Sequence, residues 1–128
     1  MREDRTFKKR EHIVSTRLME TLFGSGSKSM VAYPLRVVYQ KIPREQVNIP
    51  VQVLVSVPKK HFKHAVDRNR VKRQVREAYR YCKQPLFEAV PDDQSLLLAF
   101  LWLSDELAPS TTVNNRIKHL ITRLSEKV

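Results

Sequence analysis

Two stretches of the chain alternate apolar and polar positions with the period of a strand. In residues 35–41, Leu35, Val37 and Tyr39 interleave with Arg36, Val38 and Gln40. In residues 51–57 four valines, Val51, Val53, Val55 and Val57, share one side, while Gln52, Leu54 and Ser56 share the other. Period two sends the two sets to opposite faces of a sheet. The all-valine side is expected to be packed, because four β-branched side chains in a row are costly to leave in water. Residues 95–103 are apolar on both sides, as in a central strand covered on both faces. Three other stretches have helical spacing. Ser15-Thr16 offers an N-cap to a short helix bearing Leu18, Leu22 and Phe23, and Gly24-Ser25-Gly26-Ser27 ends it, with Gly24 placed as the C-terminal cap. Residues 65–83 repeat Val71, Val75, Ala78, Tyr79 and Cys82 on one side. Pro109-Ser110-Thr111 opens a last helix with Val113, Ile117, Leu120, Ile121 and Leu124 in one stripe. Residues 43–50 and 85–94 read as connections, and residues 1–11 as a loose basic arm. The order helix, strands, helix, strand, helix predicts one small α+β domain over residues 1–128.

Charge sharpens this picture. The chain has 128 residues, 24 Lys/Arg against 13 Asp/Glu and a net charge of +11. Of that excess, +8 lies in residues 59–83, so it is a local surface and not a general solubility charge. On the helical wheel of residues 65–83, Asn69, Lys72, Arg73, Arg76, Arg80 and Lys83 fall opposite the apolar stripe. Arg70, Gln74 and Glu77 border them, and Arg68 lies on the first turn near the apolar edge. Asp67 suits the helix N-terminus. A solvated helix ordinarily mixes signs to gain i,i+4 pairs; stacked cations repel unless an anion neutralises them. Phosphate binding is the reading this favours, with Lys59, Lys60 and Lys63 extending the patch. The one cysteine, Cys82, excludes an internal disulfide and a cysteine zinc site, and suits a reducing cytoplasm. No apolar run approaches the ~20 residues of a membrane span, and the basic helix needs its short apolar side for the sheet, which argues against a membrane-surface role.

Within this patch, Arg68-Asn69-Arg70 combines planar forks suited to phosphate or guanine with an amide suited to a base or a 2′-hydroxyl. In its full setting it is more specific. Val55-Ser56-Val57-Pro58-Lys59-Lys60, then Ala65-Val66-Asp67-Arg68-Asn69-Arg70-Val71-Lys72-Arg73, then Arg76-Glu77 and Arg80, closely resembles the bacterial ribonuclease P protein subunit, and the flanking elements fall in that family's order. The resemblance implies a mixed sheet of about four strands with three helices, similar to a ribosomal-protein domain with a left-handed strand–helix–strand crossover. It implies a small, monomeric, cytoplasmic partner of a catalytic RNA that removes 5′ leaders from precursor tRNA. The RNA does the chemistry with Mg²⁺, held mainly by the RNA; the protein helps bind the leader and lowers the Mg²⁺ requirement. By the same resemblance Lys59, Lys60, Lys63, Arg68, Asn69, Arg70, Lys72, Arg73, Arg76 and Arg80 lie against the RNA subunit, and a cleft between the first helix and the open sheet face takes the leader.

The residues also outline that cleft. Strand alternation gathers Arg36, Val38 and Ser56 on the face away from the valines. The first helix, folded along the sheet edge, would add an aliphatic wall of Leu18 and Leu22; ordinary core is the competing role for both. No set of residues points to catalysis by the protein itself. Asp92-Asp93 and Asp105-Glu106 read as solvated loops without the converging carboxylates of a metal nuclease. His12, His61, His64 and His119 are dispersed, with His61 and His64 beside the lysines. Trp102, Tyr79 and Cys82 read as core. A structural ribosomal-RNA-binding protein would explain the charge equally well, and only the motif favours the ribonuclease P reading over it.

Overall fold

The computed structural model describes residues 11–13 and 15–128. Its strands are β1 (Lys28–Ala32), β2 (Leu35–Pro43), β3 (Val51–Ser56) and β4 (Gln94–Trp102), in the sheet order β1-β2-β4-β3. The strand with apolar residues on both sides is central, as its pattern requires: β4 runs antiparallel to β2 and parallel to β3, and Ser95 through Phe100 are all buried. The helices are α1 (Thr16–Phe23), α2 (Ala65–Cys82), α3 (Gln84–Ala89) and α4 (Ser110–Lys127), with a 3-10 turn at Arg44–Gln46. The expected α+β class holds, with four helices in place of three. The extra one, α3, occupies part of the expected 85–94 connection; it has six residues and buries only Leu86, too few for a periodic signal. β1 also has no strand-like alternation in its sequence. It forms as the partner of β2 in a hairpin whose turn carries a cis Tyr33-Pro34 bond.

Parity divides the sheet between two cores. On one face, Val37 and Tyr39, the valines of β3, and Leu96, Leu98 and Phe100 pack against the apolar stripes of α2 and α4. On the other, Val38, Ile42, Leu97 and Ala99 pack against Ile13 and Leu22, with Leu18, Met19 and Leu54 at the margin. The expectation that α1 lies along the sheet edge is thus corrected: α1 contacts the inner strands β2 and β4 on the second face. Ser15 accepts from Leu18 N at 3.4 Å to cap α1. Gly24 closes it with an extended backbone, its N–H donating to the Thr21 carbonyl. The left-handed residue of the turn is Gly26, at φ +94°, and the Ser27 hydroxyl bridges the Leu22 carbonyl and the Gln40 side chain.

Two further expectations change. The basic arm, residues 1–10, lies outside the described residues, but Glu11, assigned to it, is buried. Ile13 N donates to the Val53 carbonyl at 2.9 Å, so residues 11–13 run along the outer side of β3 and cover that edge. Lys83, placed by the wheel on the cationic side, lies just past the end of α2, where the wheel no longer applies. It turns inward to meet Glu11 at 2.7 Å, the side chains being 3% and 5% exposed.

Candidate nucleic-acid interface

α2 is positioned by its apolar stripe. Val71, Val75, Ala78 and Tyr79 are buried against the sheet, with Tyr79 tilted on Phe100 at 6.0 Å between ring centres; Cys82, expected as core, is half-buried. Gln74, on the border of the wheel, is buried because its amide donates to the Ala108 carbonyl at 3.0 Å and reaches the Ser110 hydroxyl at 3.1 Å, pinning α2 to the start of α4. The opposite side therefore faces outward. Asn69, Arg70, Arg73 and Arg76 are exposed, and Lys72 and Arg80 are half-exposed. Arg70, Lys72, Arg73 and Arg76 form no ion pair with a described carboxylate, whereas Arg80 pairs with Glu77 and stacks on Tyr81 at 4.8 Å. Four cations over two turns thus present charge that no described carboxylate neutralises.

The loop before α2 adds exposed Lys59, Lys60 and Lys63. It is held from below by buried Phe62 and from the side by Arg68, whose Nη1 donates to the Phe62 carbonyl at 2.7 Å and the Lys63 carbonyl at 3.2 Å. His61 Nδ1 lies 2.7 Å from Asp105, so that aspartate, expected in a solvated loop, ties the lysine loop to the segment after β4. Arg68 differs from its neighbours in the motif: part of its fork shapes the loop.

The second-face groove is narrower than the sequence suggests. Leu22 is 0% exposed and belongs to the core under α1; Val38, at 9%, is mostly enclosed there and keeps only a margin on the open groove. The reason is the course of α1 across β2 and β4. Leu18 is half-buried at the margin of that core. What stays open is the next row of the sheet, where Arg36 pairs with Leu101 and Leu101 with Ser56. A hollow of about 340 Å³ lies here, between Arg36, Val38 and Leu101, the strand residue Ser29 and the end of α1 at Phe23. Arg36 Nη2 donates to the Ser29 hydroxyl at 3.2 Å. Leu101 was missed because residues 95–103 are apolar on both sides and do not mark a face, and Ser29 because it lies in a strand that the sequence does not announce; Phe23 already stood at the end of its helix.

Among the described residues, no three His, Cys, Asp or Glu side chains come together as metal ligands, and no helix is long and apolar enough to cross a membrane. The shifted titrating groups lie around the end of α2. Burial and then the Arg76 charge lower the pKa of His12, against an opposing effect of Glu11. Burial raises the Tyr79 phenol well above its usual range, Glu11 adding to it, and raises the Cys82 thiol, with Lys118 opposing. The raised values keep the Tyr79 phenol and the Cys82 thiol protonated, and so poor nucleophiles, at neutral pH.

A family model described as Ribonuclease P matches residues 7–125. The chain is 43% identical over 111 residues to the ribonuclease P protein component of Porphyromonas gingivalis, covering 86% of this chain and 80% of that one. To the component from Chlorobaculum tepidum it is 37% identical over 111 residues, covering 80% and 72%. Among solved structures, the RNase P protein of Staphylococcus aureus shares the fold at a TM-score of 0.65 and 16% identity, over 88% of this chain and 94% of that one. The protein from Thermotoga maritima does so at 0.63 and 21%, over 84% and 91%. Matched along nearly its whole length by the family model, and by relatives more than a third identical over the aligned residues, the chain belongs to the ribonuclease P protein family.

Proposed function

We propose that this ribonuclease P subunit works as a two-sided RNA holder. The outward side of α2, with the lysine loop before it, binds the RNA subunit; the open row of the second sheet face holds the single-stranded 5′ leader of precursor tRNA. The observation that carries the first half is the set Arg70, Lys72, Arg73 and Arg76, which project from one side with no described carboxylate to pair with. Such an arrangement gains most from a polyanion, since each neutralised phosphate releases counterions. Asn69 and the free donors of Arg68 add hydrogen bonds that fix register on the RNA backbone. The second half is supported by the mixture in the groove: Phe23 and Leu101 offer apolar surface to bases, and Arg36 offers charge to a phosphate.

Cleavage falls to the RNA partner, whose bound Mg²⁺ would polarise the phosphodiester and activate water. The described residues of this chain provide no converging carboxylates to hold that ion. What the protein contributes is positive charge beside crowded phosphates, which reduces the Mg²⁺ needed to fold the RNA and retain substrate. Reconstitution tests this. Protein and RNA subunit together should remove a 5′ leader at Mg²⁺ concentrations where the RNA alone is nearly inactive, and protein freed of RNA should cleave nothing. Site-specific cleavage by RNA-free protein, or no stimulation at low Mg²⁺, would overturn the reading.

A further inference from the structure

Along one edge of the domain lies charged and aromatic surface that the α2 side does not use and that meets the second-face groove only at Lys28. β1 is the outer strand of the sheet, so one side of its backbone meets no described strand. α4 packs beside it. Toward one end, Val31 and Ala32 border a hollow of about 440 Å³ with Arg116 and His119 of α4. Arg116 Nε donates to the Tyr33 carbonyl at 2.9 Å, which orients the guanidinium and ties Tyr33 to this spot. The Tyr33 side chain is 61% exposed, more than Phe23 or Tyr81. Toward the other end, Lys28, Lys41 and Lys127 surround a second hollow of about 420 Å³ beside Tyr39. None of these four cations pairs with a described carboxylate. Arg116 and Lys127 stand eleven positions apart on α4. That is close to three turns, so they share one side of the helix about 16 Å apart.

We propose that this β1–α4 edge is a second RNA-binding surface, which takes a short single-stranded segment. Its cations neutralise phosphates, and the Tyr33 ring gives a base something to stack on. A duplex would leave that ring unused, because its bases are already stacked. The other natural occupant of an open strand edge is a second copy of the chain. Lys28 opposes it, since a lysine on an edge strand is a common device against such pairing. The proposal rests on the reading of this chain as an RNA holder but not on the part given to α2.

The test is titration of the ¹⁵N-labelled full chain with a short oligouridylate, followed by amide shifts. Shifts are expected at residues 31–33 and 115–119. Tyr33→Leu and Arg116→Gln should each weaken binding roughly tenfold, the worth of one stacked base or one well-placed cation. Lys28→Gln with Lys127→Gln should flatten the salt dependence. Lys72→Gln with Arg73→Gln should leave oligouridylate binding at this edge intact while weakening binding of the RNA subunit. If only this last expectation for the RNA subunit fails, the role given to α2 falls and the edge proposal stands. Shifts confined to Arg36, Leu101, Phe23 and Ser29, with none at Tyr33 or residues 115–119, would overturn the proposal. So would unchanged affinity in folded Tyr33→Leu and Arg116→Gln variants, or a dimer whose interface covers β1.

Discussion

Lys83 carries its charge into the interior. Its ammonium meets Glu11 at 2.7 Å and lies 5.1 Å from the Phe87 ring centre. Both ions have left water, so the pair contributes little on balance, yet removing one partner strands the other. Lys83→Met should destabilise the fold by about 3–5 kcal/mol. Lys83→Met combined with Glu11→Leu should recover most of that loss, as read from denaturant midpoints. Equal losses in the single and double variants would contradict this account. His12, beside the pair, gives a pH signature. Its folded pKa is depressed by burial and Arg76, so below about 6.5 the unfolded chain takes up a proton that the folded chain refuses. The stabilising effect of neutral His12 is present above that pH and is lost as pH falls. The fall in melting temperature between pH 7.5 and 5.5 should therefore be smaller in His12→Gln than in the parent chain.

Among the elements, α2 separates charge that binds from charge that builds. Lys72→Ala and Arg73→Ala should each reduce the log–log salt slope of RNA-subunit binding by about 1, if each neutralises one phosphate. Arg68→Ala should in addition speed amide exchange in the loop at residues 59–63, because its Nη1 holds two carbonyls there. Equal exchange in Arg68→Ala and Lys72→Ala would show that the loop needs no such support. α2 and α4 were legible because eighteen residues allow several repeats of a stripe. α3 and β1 were not, since six and five residues with one buried position each carry no period. Lys83 was misplaced for a related reason: the wheel was continued past Cys82, where the backbone passes into α3. The roles of Arg68 and Asp105 depend on partners distant along the chain and had no local signal.

At the scale of the whole molecule, the sheet is buried twice. Leu22→Ala should cost about 2–5 kcal/mol, because Leu22 is fully enclosed between α1 and the sheet. Arg36→Ala should leave the fold intact and, in the reconstituted holoenzyme, lower affinity for precursor tRNA while sparing mature tRNA. An unchanged ratio of the two affinities would remove the leader from this groove. Strand parity in the sequence correctly put Arg36, Val38 and Ser56 on one face. It could not say that α1 would cross that face and cover Val38, since a short amphipathic helix carries no address for its docking site.

The double burial of β2 also sets how the groove can evolve. Val37 and Tyr39 are committed to one core, and Val38 and Ile42 to the other. Sliding β2 by a single residue would exchange these sets and open both cores together. Arg36, Leu101 and Ser56 therefore stand in a line across three strands, roughly 10 Å from end to end at the usual strand spacing, on a ruler whose divisions are locked from both sides. Mutation can repaint the marks on that ruler, trading one side chain for another, but it cannot shift them. A member of this lineage that comes to handle a different single strand will do so by new chemistry at fixed stations.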